Sequence, residues 1–176
     1  AIAFTTGKRI NSIIKEMSDL WVATDDGLLR RIDGKWINTD DNLMAYGLKR
    51  TYFALENGAS NSDILFGGLF SVGCIAKNGD NWLMRGADGL PYGPVRSIKS
   101  NGETIWLGTD RGAIKKDKVW HYYNGKRWLP DNKVNDILPL DEHTVWIATS
   151  MGISQIQQVE MTLEQKAQAF EKRIRE

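Results

Sequence analysis

Cysteine and histidine are the scarcest chemistry-bearing residues of this sequence. Its 176 residues contain one cysteine, Cys74, and two histidines, His121 and His143. A single thiol cannot form an intramolecular disulfide, so cysteine neither requires nor excludes an oxidising compartment. So few thiols and imidazoles also argue against a zinc site built from cysteine and histidine. We therefore predict no metal site and no cofactor.

The sequence also lacks the short motifs of common catalytic and nucleotide-binding sites. It contains no P-loop, no G-x-G-x-x-G, no H-E-x-x-H, no G-x-S-x-G and no C-x-x-C. His143 lies in the turn-like sequence Asp-Glu-His-Thr, so we interpret it as a solvated hairpin residue. These absences favour a protein without catalytic activity.

Neither an excess of one charge nor a long apolar run is present. Lys and Arg number 23 against 22 Asp and Glu, for a net charge of +1. Because no block of one sign occurs, the sequence does not indicate binding to nucleic acid or to an anionic membrane. No apolar stretch approaches the ~20 residues of a spanning helix, so we predict no membrane insertion.

What the sequence does contain is a repeated phrase, Trp-x-x-Thr-x-x-Gly. It occurs in 20–27, 105–112 and 145–152, and 65–73 is a weaker copy with Phe66 in the Trp place. Successive aromatic anchors are 45, 40 and 40 residues apart, which is the length of one four-stranded propeller blade. The anchors of the four copies are Trp21, Thr24, Gly27, Phe66, Trp106, Thr109, Gly112, Trp146, Thr149 and Gly152.

Each copy can be divided into short antiparallel strands. The Trp segments are rich in β-branched and aromatic residues, and small residues lie two positions after each Trp. A fourth strand follows in the first two repeats, near Trp36 and Trp82. Turn dipeptides with positive φ angles separate the strands: Asp33-Gly34, Asn78-Gly79, Asn101-Gly102 and Asn124-Gly125. The pattern predicts an all-β fold, a β-propeller of four antiparallel blade repeats of about 40–45 residues each, with a C-terminal α-helix.

The predicted domain organisation is a propeller over 1–160 followed by a helix or linker over 161–176. The blades lie near 7–45, 46–92, 93–132 and 133–158. The last repeat has no fourth strand of its own, and we expect residues 1–6 to supply it by pairing with Ile153–Ile156. The alternative is an open half-ring completed by a second chain.

Periodicity changes from strand-like to helical after residue 161. Thr162 and Gln165 form a capping-box pair, and Leu163, Ala167, Phe170 and Ile174 recur on one helix face. We expect this face to pack on the sheets. The alternative is a connector to a further domain.

The three Trp phrases, each preceded by an apolar strand such as Val134–Leu140, resemble the two-component regulator propeller repeat over 10–156. The resemblance implies blades of a periplasmic or extracellular bacterial sensor region, of the kind found in hybrid histidine kinases that detect oligosaccharides. It also implies that the Trp, Thr and Gly of the phrase are structural. Complete rings of the family have more than four repeats, and no kinase, receiver or DNA-binding segment is seen here.

The segment 119–130 is the best candidate for ligand binding. Flat aromatic faces beside polar donors suit sugar rings, and the candidate residues are Trp120, His121, Tyr122, Tyr123, Arg127 and Trp128. The structural alternative buries Trp120 and Tyr122 in an outer strand and puts Trp128 in the place of Trp36 and Trp82. The irregular stretch 54–63 is a second candidate loop, and Tyr46, Tyr52 and Tyr92 are further aromatic residues without a rank.

Acidic residues in the turns are interpreted as turn formers rather than as calcium ligands. Asp25-Asp26, Asp40-Asp41 and Asp110 lack the spacing that converges six to eight oxygens on one ion.

The function predicted from these features is a non-catalytic propeller module, the ligand-binding or sensory region of a bacterial signalling or envelope protein. Its expected partner is an oligosaccharide or another small ligand. The alternative is a structural or protein-interaction module of a larger protein, acting as a homodimer or beside further domains. A propeller-type lyase using His121 with nearby acids is a minor alternative.

Overall fold

The structure is a computed structural model that describes residues 7–39, 51–58, 63–86, 90, 93–159 and 162–175. Predictions for residues 1–6, Asp40-Asp41, Tyr46 and Tyr92 lie outside this part of the chain. The described residues form four antiparallel sheets, here called blades 1 to 4, and one helix. The predicted all-β class and the four-blade organisation are confirmed.

The strands follow one another in each blade from the inner to the outer edge. Blade 1 contains β1 (Ile10–Glu16), β2 (Asp19–Thr24), β3 (Gly27–Ile32) and β4 (Lys35–Asn38). Blade 2 contains β5 (Tyr52–Asn57), β6 (Ile64–Gly68), β7 (Ser71–Ile75) and β8 (Trp82–Arg85). Blade 3 contains β9 (Val95–Asn101), β10 (Thr104–Thr109), β11 (Gly112–Lys116) and β12 (Trp120–Tyr123). Blade 4 contains β13 (Val134–Pro139), β14 (Thr144–Thr149) and β15 (Gly152–Gln157), and α1 spans Leu163–Arg175.

The Thr and Gly of the repeated phrase build the turn between the second and third strands. The Thr109 hydroxyl donates to the Gly112 carbonyl at 2.7 Å and accepts from the Arg111 N–H at 3.1 Å. Thr24 and Thr149 make the same pair of bonds. Gly112 has a φ of 136°, and a Cβ there would lie 2.5 Å from the Tyr123 carbonyl oxygen. Only glycine fits this position, which explains the phrase in structural terms.

Three apolar clusters fill the interfaces between consecutive blades. The inner strands pack in chain order, β1 on β5, β5 on β9 and β9 on β13. We call the face of a blade that packs on the next blade its trailing face, and the opposite face its leading face. The clusters lie at the 1–2, 2–3 and 3–4 interfaces. Each blade core is therefore shared between two sheets.

The small residue two positions after Trp106 lets the next blade approach, as the spacing predicts, and Gly67 does the same in blade 2. A Cβ on Gly108 would lie 2.7 Å from Val134 Cγ1, and one on Gly67 would lie 2.5 Å from Val95 Cγ1. Both valines are the first residues of the next blade's inner strand.

The prediction that Phe66 takes the Trp place was wrong. Gly67 occupies the place of Gly108, so the residue two positions before it, Leu65, is the structural counterpart of Trp106. Leu65 lies in the 2–3 interface, whereas Phe66 faces the other way into the 1–2 interface. Neighbouring residues of a strand point to opposite faces, so a shift of one residue reverses the side.

Blade 3 also has a fourth strand, the outer strand β12. Its Trp120 pairs with Lys116, as Trp36 pairs with Arg31 in blade 1. Trp120 therefore takes the place that the structural alternative gave to Trp128. That alternative was also wrong about Tyr122, which is exposed, while Tyr123 is buried.

The capping box of α1 is confirmed. The Gln165 N–H donates to Thr162 Oγ1 at 3.2 Å, and the Thr162 N–H donates to Gln165 Oε1 at 2.9 Å. The expected packing of its apolar face on the sheets was wrong, since Leu163 and Phe170 are 85% and 66% exposed. Among the described residues, no helix has the length and hydrophobicity needed to cross a membrane.

Candidate functional site

The predicted aromatic segment divides between the two faces of blade 3. Trp120 packs against the 2–3 cluster, while Tyr123 belongs to the 3–4 cluster. The Tyr123 ring stacks on Trp106 at 5.4 Å between centroids and meets the edge of Trp128 at 5.2 Å. The structure thus brings Tyr123 and Trp128 together in a core and separates them from Trp120.

The polar residues among the six candidates, His121 and Arg127, lie outside the buried aromatic core. Arg127 covers the Trp128 ring at 4.9 Å, and His121 Nε2 lies 3.3 Å from Asp117 Oδ2. The Val119 N–H donates to the Asp117 carboxylate and lowers its pKa, an effect that His121 reinforces. Tyr122 presents an exposed ring on the outer strand. The predicted binding role of these six residues stays a prediction.

A polar cleft opens between blades 3 and 4, at the end of the array where the first and second strands are joined. Its volume is about 540 Å³, and we call it the 3–4 cleft. Its walls are the two strand-joining turns, and its lining includes Asn101, Glu103, Thr104, Lys115, Glu142, His143 and Gln158.

Lys115 is the buried cation of the 3–4 cleft. Its Nζ donates to Gln158 Oε1 at 2.8 Å, lies 3.4 Å from Asp117 Oδ2 and stands 5.9 Å from the centre of the Trp106 ring. Gln158 Nε2 in turn donates to the Tyr123 hydroxyl at 2.8 Å. Burial raises the pKa of Tyr123, so this hydroxyl stays protonated at neutral pH. The network fixes the cation and joins blade 3 to blade 4.

An equivalent cleft of about 260 Å³, the 1–2 cleft, lies at the same end between blades 1 and 2. The Arg30 guanidinium covers the Trp21 ring at 5.0 Å, and its Nε donates to Asp19 Oδ2 at 2.9 Å. Arg30 pairs with Trp21 across the sheet as Lys115 pairs with Trp106. The 1–2 and 3–4 interfaces therefore each set a cation on the trailing-face Trp beneath an open cleft.

Two buried polar atoms in the 1–2 cleft lack a partner within the described residues. They are the Trp21 indole Nε1 and Glu16 Oε1, and both residues line the cleft. One is a donor and the other is an acceptor. A buried polar atom without a hydrogen bond is costly, so each of these two atoms would be stabilised by a polar group that reaches it.

Sequence reasoning missed the cleft residues Glu16, Asp19, Arg30, Lys115 and Gln158. A signal was present, since Arg30 and Lys115 each lie nine residues after the phrase Trp. Gln158 carried no such signal, because its role depends on which turn of blade 4 faces blade 3.

The acidic turn residues have protein partners. Asn11 Nδ2 donates to Asp25 Oδ1 at 2.8 Å, and Lys8 Nζ lies 2.6 Å from Asp26 Oδ2. Arg96 donates two hydrogen bonds to Asp110, at 2.6 and 3.0 Å, and lowers the pKa of that carboxyl group. Within the described residues, no three His, Cys, Asp or Glu side chains lie close enough together to hold a metal ion. The Cys74 thiol is buried, and burial raises its pKa to about 11.

No protein-family model and no curated protein matches the sequence. Among solved structures, the chain is similar to the extracellular domain of the putative hybrid two-component system BT4673 of B. thetaiotaomicron. The TM-score is 0.67 at 18% identity, over 86% of this chain and 22% of that one. The extracellular domain of BT3049, from the same organism, gives a TM-score of 0.69 at 16% identity, over 88% and 23%. Virginiamycin B lyase from Staphylococcus aureus gives a TM-score of 0.60 at 14% identity, over 86% of this chain and 56% of the lyase.

This chain spans less than a quarter of the two extracellular domains that it matches. At these identities the likeness shows the fold, and it agrees with the resemblance to the two-component regulator propeller repeat. The chain therefore has the β-propeller blade fold of these extracellular domains of two-component systems.

Proposed function

We propose that this chain is the ligand-recognition part of a non-catalytic, sensory β-propeller that acts in the periplasm or outside the cell. The likeness to extracellular domains of two-component systems supports a sensory role and this location. Fold alone does not select a function, so the proposal depends on the two clefts.

The observation that carries the proposal is the unpartnered pair in the 1–2 cleft. A hydroxyl group both donates and accepts hydrogen bonds, so it suits the donor Trp21 Nε1 and the acceptor Glu16 Oε1 alike. Arg30 and Asp19 beside them offer further donors and acceptors. A ligand rich in hydroxyl groups, such as an oligosaccharide, has the matching chemistry.

The position of the clefts supports a mechanism for sensing. Each cleft is lined by two consecutive blades, so a bound ligand touches both. A ligand shifts a conformational equilibrium only through its different affinities for the two arrangements. A ligand that bridges two blades has this property whenever their packing differs between the arrangements.

The experiment is retention of the full chain on an oligosaccharide array, followed by calorimetry with the retained sugar. Trp21→Phe keeps an aromatic ring but removes the indole N–H, and Trp106→Phe is the matched control in the 3–4 interface. We expect Trp21→Phe to weaken binding about tenfold or more, which corresponds to about 1.4 kcal/mol, with little change for Trp106→Phe. If no oligosaccharide is retained, or if both variants bind as tightly as the native chain, the proposal fails.

The interaction module and the lyase remain distinguishable alternatives. Absence of array binding together with a stable protein complex would favour the interaction module. A metal-dependent lyase activity of this chain would be lost with a chelator and restored by a divalent ion. His121 contacts Asp117 in this structure, and it is the residue to replace in that assay.

A further inference from the structure

Every internal blade interface buries the same positions of the leading face. The first residue of the inner strand is Tyr52, Val95 or Val134, and each is at most 2% exposed. The residue three positions later is Leu55, Ile98 or Ile137, and each is at most 6% exposed. These inner-strand residues are the part of each blade that inserts into the blade before it.

Blade 1 leaves these positions open. Ile10 and Ile13 occupy them, because Ile10 pairs with Thr24 as Val95 pairs with Thr109. Ile10 is 51% exposed and Ile13 is 60% exposed, although Val22 in the middle of the same face is already buried. The inner strand of blade 1 therefore presents two isoleucines at positions that are buried in the other blades. No neighbouring blade covers them within the described residues.

Blade 4 exposes the complementary trailing face. Ile153 pairs with Ala148 and is 60% exposed, whereas its counterparts Leu28, Val72 and Ala113 are at most 1% exposed. Trp146 is half-buried on this face, and Leu138 beside it is exposed. Ala148 keeps the small side chain that admits the first inner-strand residue of a following blade, as Gly108 admits Val134.

We propose that two copies of this chain join head to tail, with blade 4 of each packed on blade 1 of the other, and close a ring of eight blades. The two ends of one chain carry the two halves of the interface that the chain already forms three times internally. A second copy satisfies both ends at once, and a heterologous contact that closes in this way leaves no end free. Eight blades lie within the ~4–8 range of propeller rings.

The charge of the chain is compatible with this assembly. Its net charge is only +1, so two copies do not repel each other strongly. The largely apolar groove on blade 4 then receives Ile10 and Ile13 of the partner; it is lined by Ile137, Leu138, Leu140, Trp146, Ala148 and Ile153, with Asp136 as its one charged residue. Burial of such apolar surface is the dominant favourable contribution to association.

The first test is the mass of the full chain in solution, measured by sedimentation equilibrium over a range of concentrations. We expect twice the chain mass of 19.9 kDa. A monomer at all concentrations would contradict the proposal, whether α1, another protein or a further blade covers the exposed faces. A continuous series of larger species would contradict ring closure.

The second test uses Ile13→Asp and Ile153→Lys. Each single variant places a charge in both interfaces of its own dimer, so we expect a folded monomer with native circular dichroism. A mixture of the two variants should restore a heterodimer, because one interface is then native and the other pairs Asp with Lys. Folded monomers that do not combine on mixing would show that the contact is not head to tail.

Three control variants separate this surface from other exposed apolar residues. Ile37→Asp changes an exposed isoleucine of the outer strand of blade 1, and Met151→Lys changes an exposed turn residue of blade 4. Phe170→Glu changes the exposed face of α1. All three should remain dimeric, and a monomer for Phe170→Glu would assign the dimer to the helix instead.

Discussion

The residue two positions after the phrase Trp, or after its counterpart Leu65 in blade 2, decides how closely consecutive blades approach. It is Ala23, Gly67, Gly108 or Ala148, and no larger side chain occurs there. At Gly67 a Cβ would lie 2.5 Å from Val95 Cγ1 and 3.1 Å from the Val95 carbonyl oxygen. The backbone contact cannot be relieved by a change of rotamer.

We expect Gly67→Ala to lower the free energy of unfolding by about 1–3 kcal/mol, because the added methyl group overpacks the 2–3 interface. Gly86→Ala is the control, since a Cβ there would contact nothing within 4 Å. Urea unfolding of both variants measures the difference. Equal stability of the two variants would show that the interface relaxes without cost.

The Arg96–Asp110 pair predicts a dependence of stability on pH. Asp110 has a lowered pKa in the folded chain, chiefly because of its hydrogen bonds from Arg96. The unfolded chain therefore takes up this proton at a higher pH than the folded chain, so the contribution is present above about pH 4 and is lost as the pH falls through the folded pKa.

We expect Asp110→Asn to make the loss of stability on acidification less steep below about pH 4. Asp131→Asn removes the same charge outside the Arg96 pair and serves as the control. Unfolding curves at a series of pH values measure the slopes. Identical slopes for the native chain and Asp110→Asn would mean that the pair does not contribute.

At the scale of elements, β12 shows how one strand serves two interfaces. Trp120 turns to blade 2, while Tyr123 turns to blade 4 and stacks on Trp106. The strand is unusually rich in aromatic residues because large side chains on both of its faces fill blade interfaces. Tyr122 is the exception and is exposed. Aromatic enrichment in this segment is therefore explained largely by packing.

Tyr123→Ala should lower the free energy of unfolding by about 3–5 kcal/mol, since it removes a buried ring from the 3–4 cluster. Tyr122→Ala, one residue away, should lower it by less than about 1 kcal/mol. Thermal or urea unfolding gives both values. A similar loss for the two variants would contradict the assignment of the strand faces.

The strand and turn pattern could be predicted from the sequence, but the side on which each residue lies could not be predicted everywhere. The Trp-x-x-Thr-x-x-Gly phrase marks its own hairpin, because Thr24 and Gly27 are local neighbours that bond each other. In the weak repeat, Leu65 and Phe66 are both large and apolar, so hydrophobicity could not distinguish them. Packing against blade 3 makes Leu65 the counterpart of the Trp.

Less of the candidate site than of the fold could be predicted from the sequence. Lys115 and Gln158 are 43 residues apart and meet only because blades 3 and 4 are adjacent. The aromatic segment 119–130 was conspicuous in the sequence, yet Tyr123 and Trp128 have structural contacts that composition alone does not reveal. Contacts between blades depend on turn geometry, which short-range sequence patterns do not encode.

The whole molecule is an array of blades whose cores lie between sheets rather than within them. Among the residues that the structure describes, three interfaces are filled, and the trailing face of blade 4 and the inner strand of blade 1 are open. A repeat array gains stability from each nearest-neighbour interface, so the two additional interfaces of a closed ring would add to those already present.

The thermal midpoint of the native chain should therefore rise with protein concentration, because assembly binds the folded state alone. The midpoint of Ile13→Asp should be lower and independent of concentration. Differential scanning calorimetry at several concentrations separates the two behaviours. A native midpoint that does not change with concentration would mean that assembly adds nothing to stability.

The self-contained Thr–Gly hairpin bears on how such a chain can evolve. Blades 1, 3 and 4 each close the central turn with their own hydroxyl and carbonyl, so a unit of about 40 residues carries its local folding information with it. Gene duplication or loss of one such unit leaves a leading face at one terminus and a trailing face at the other. Blade number can therefore change while both termini stay complementary, and the cleft residues, which lie outside the hairpin, can diverge independently.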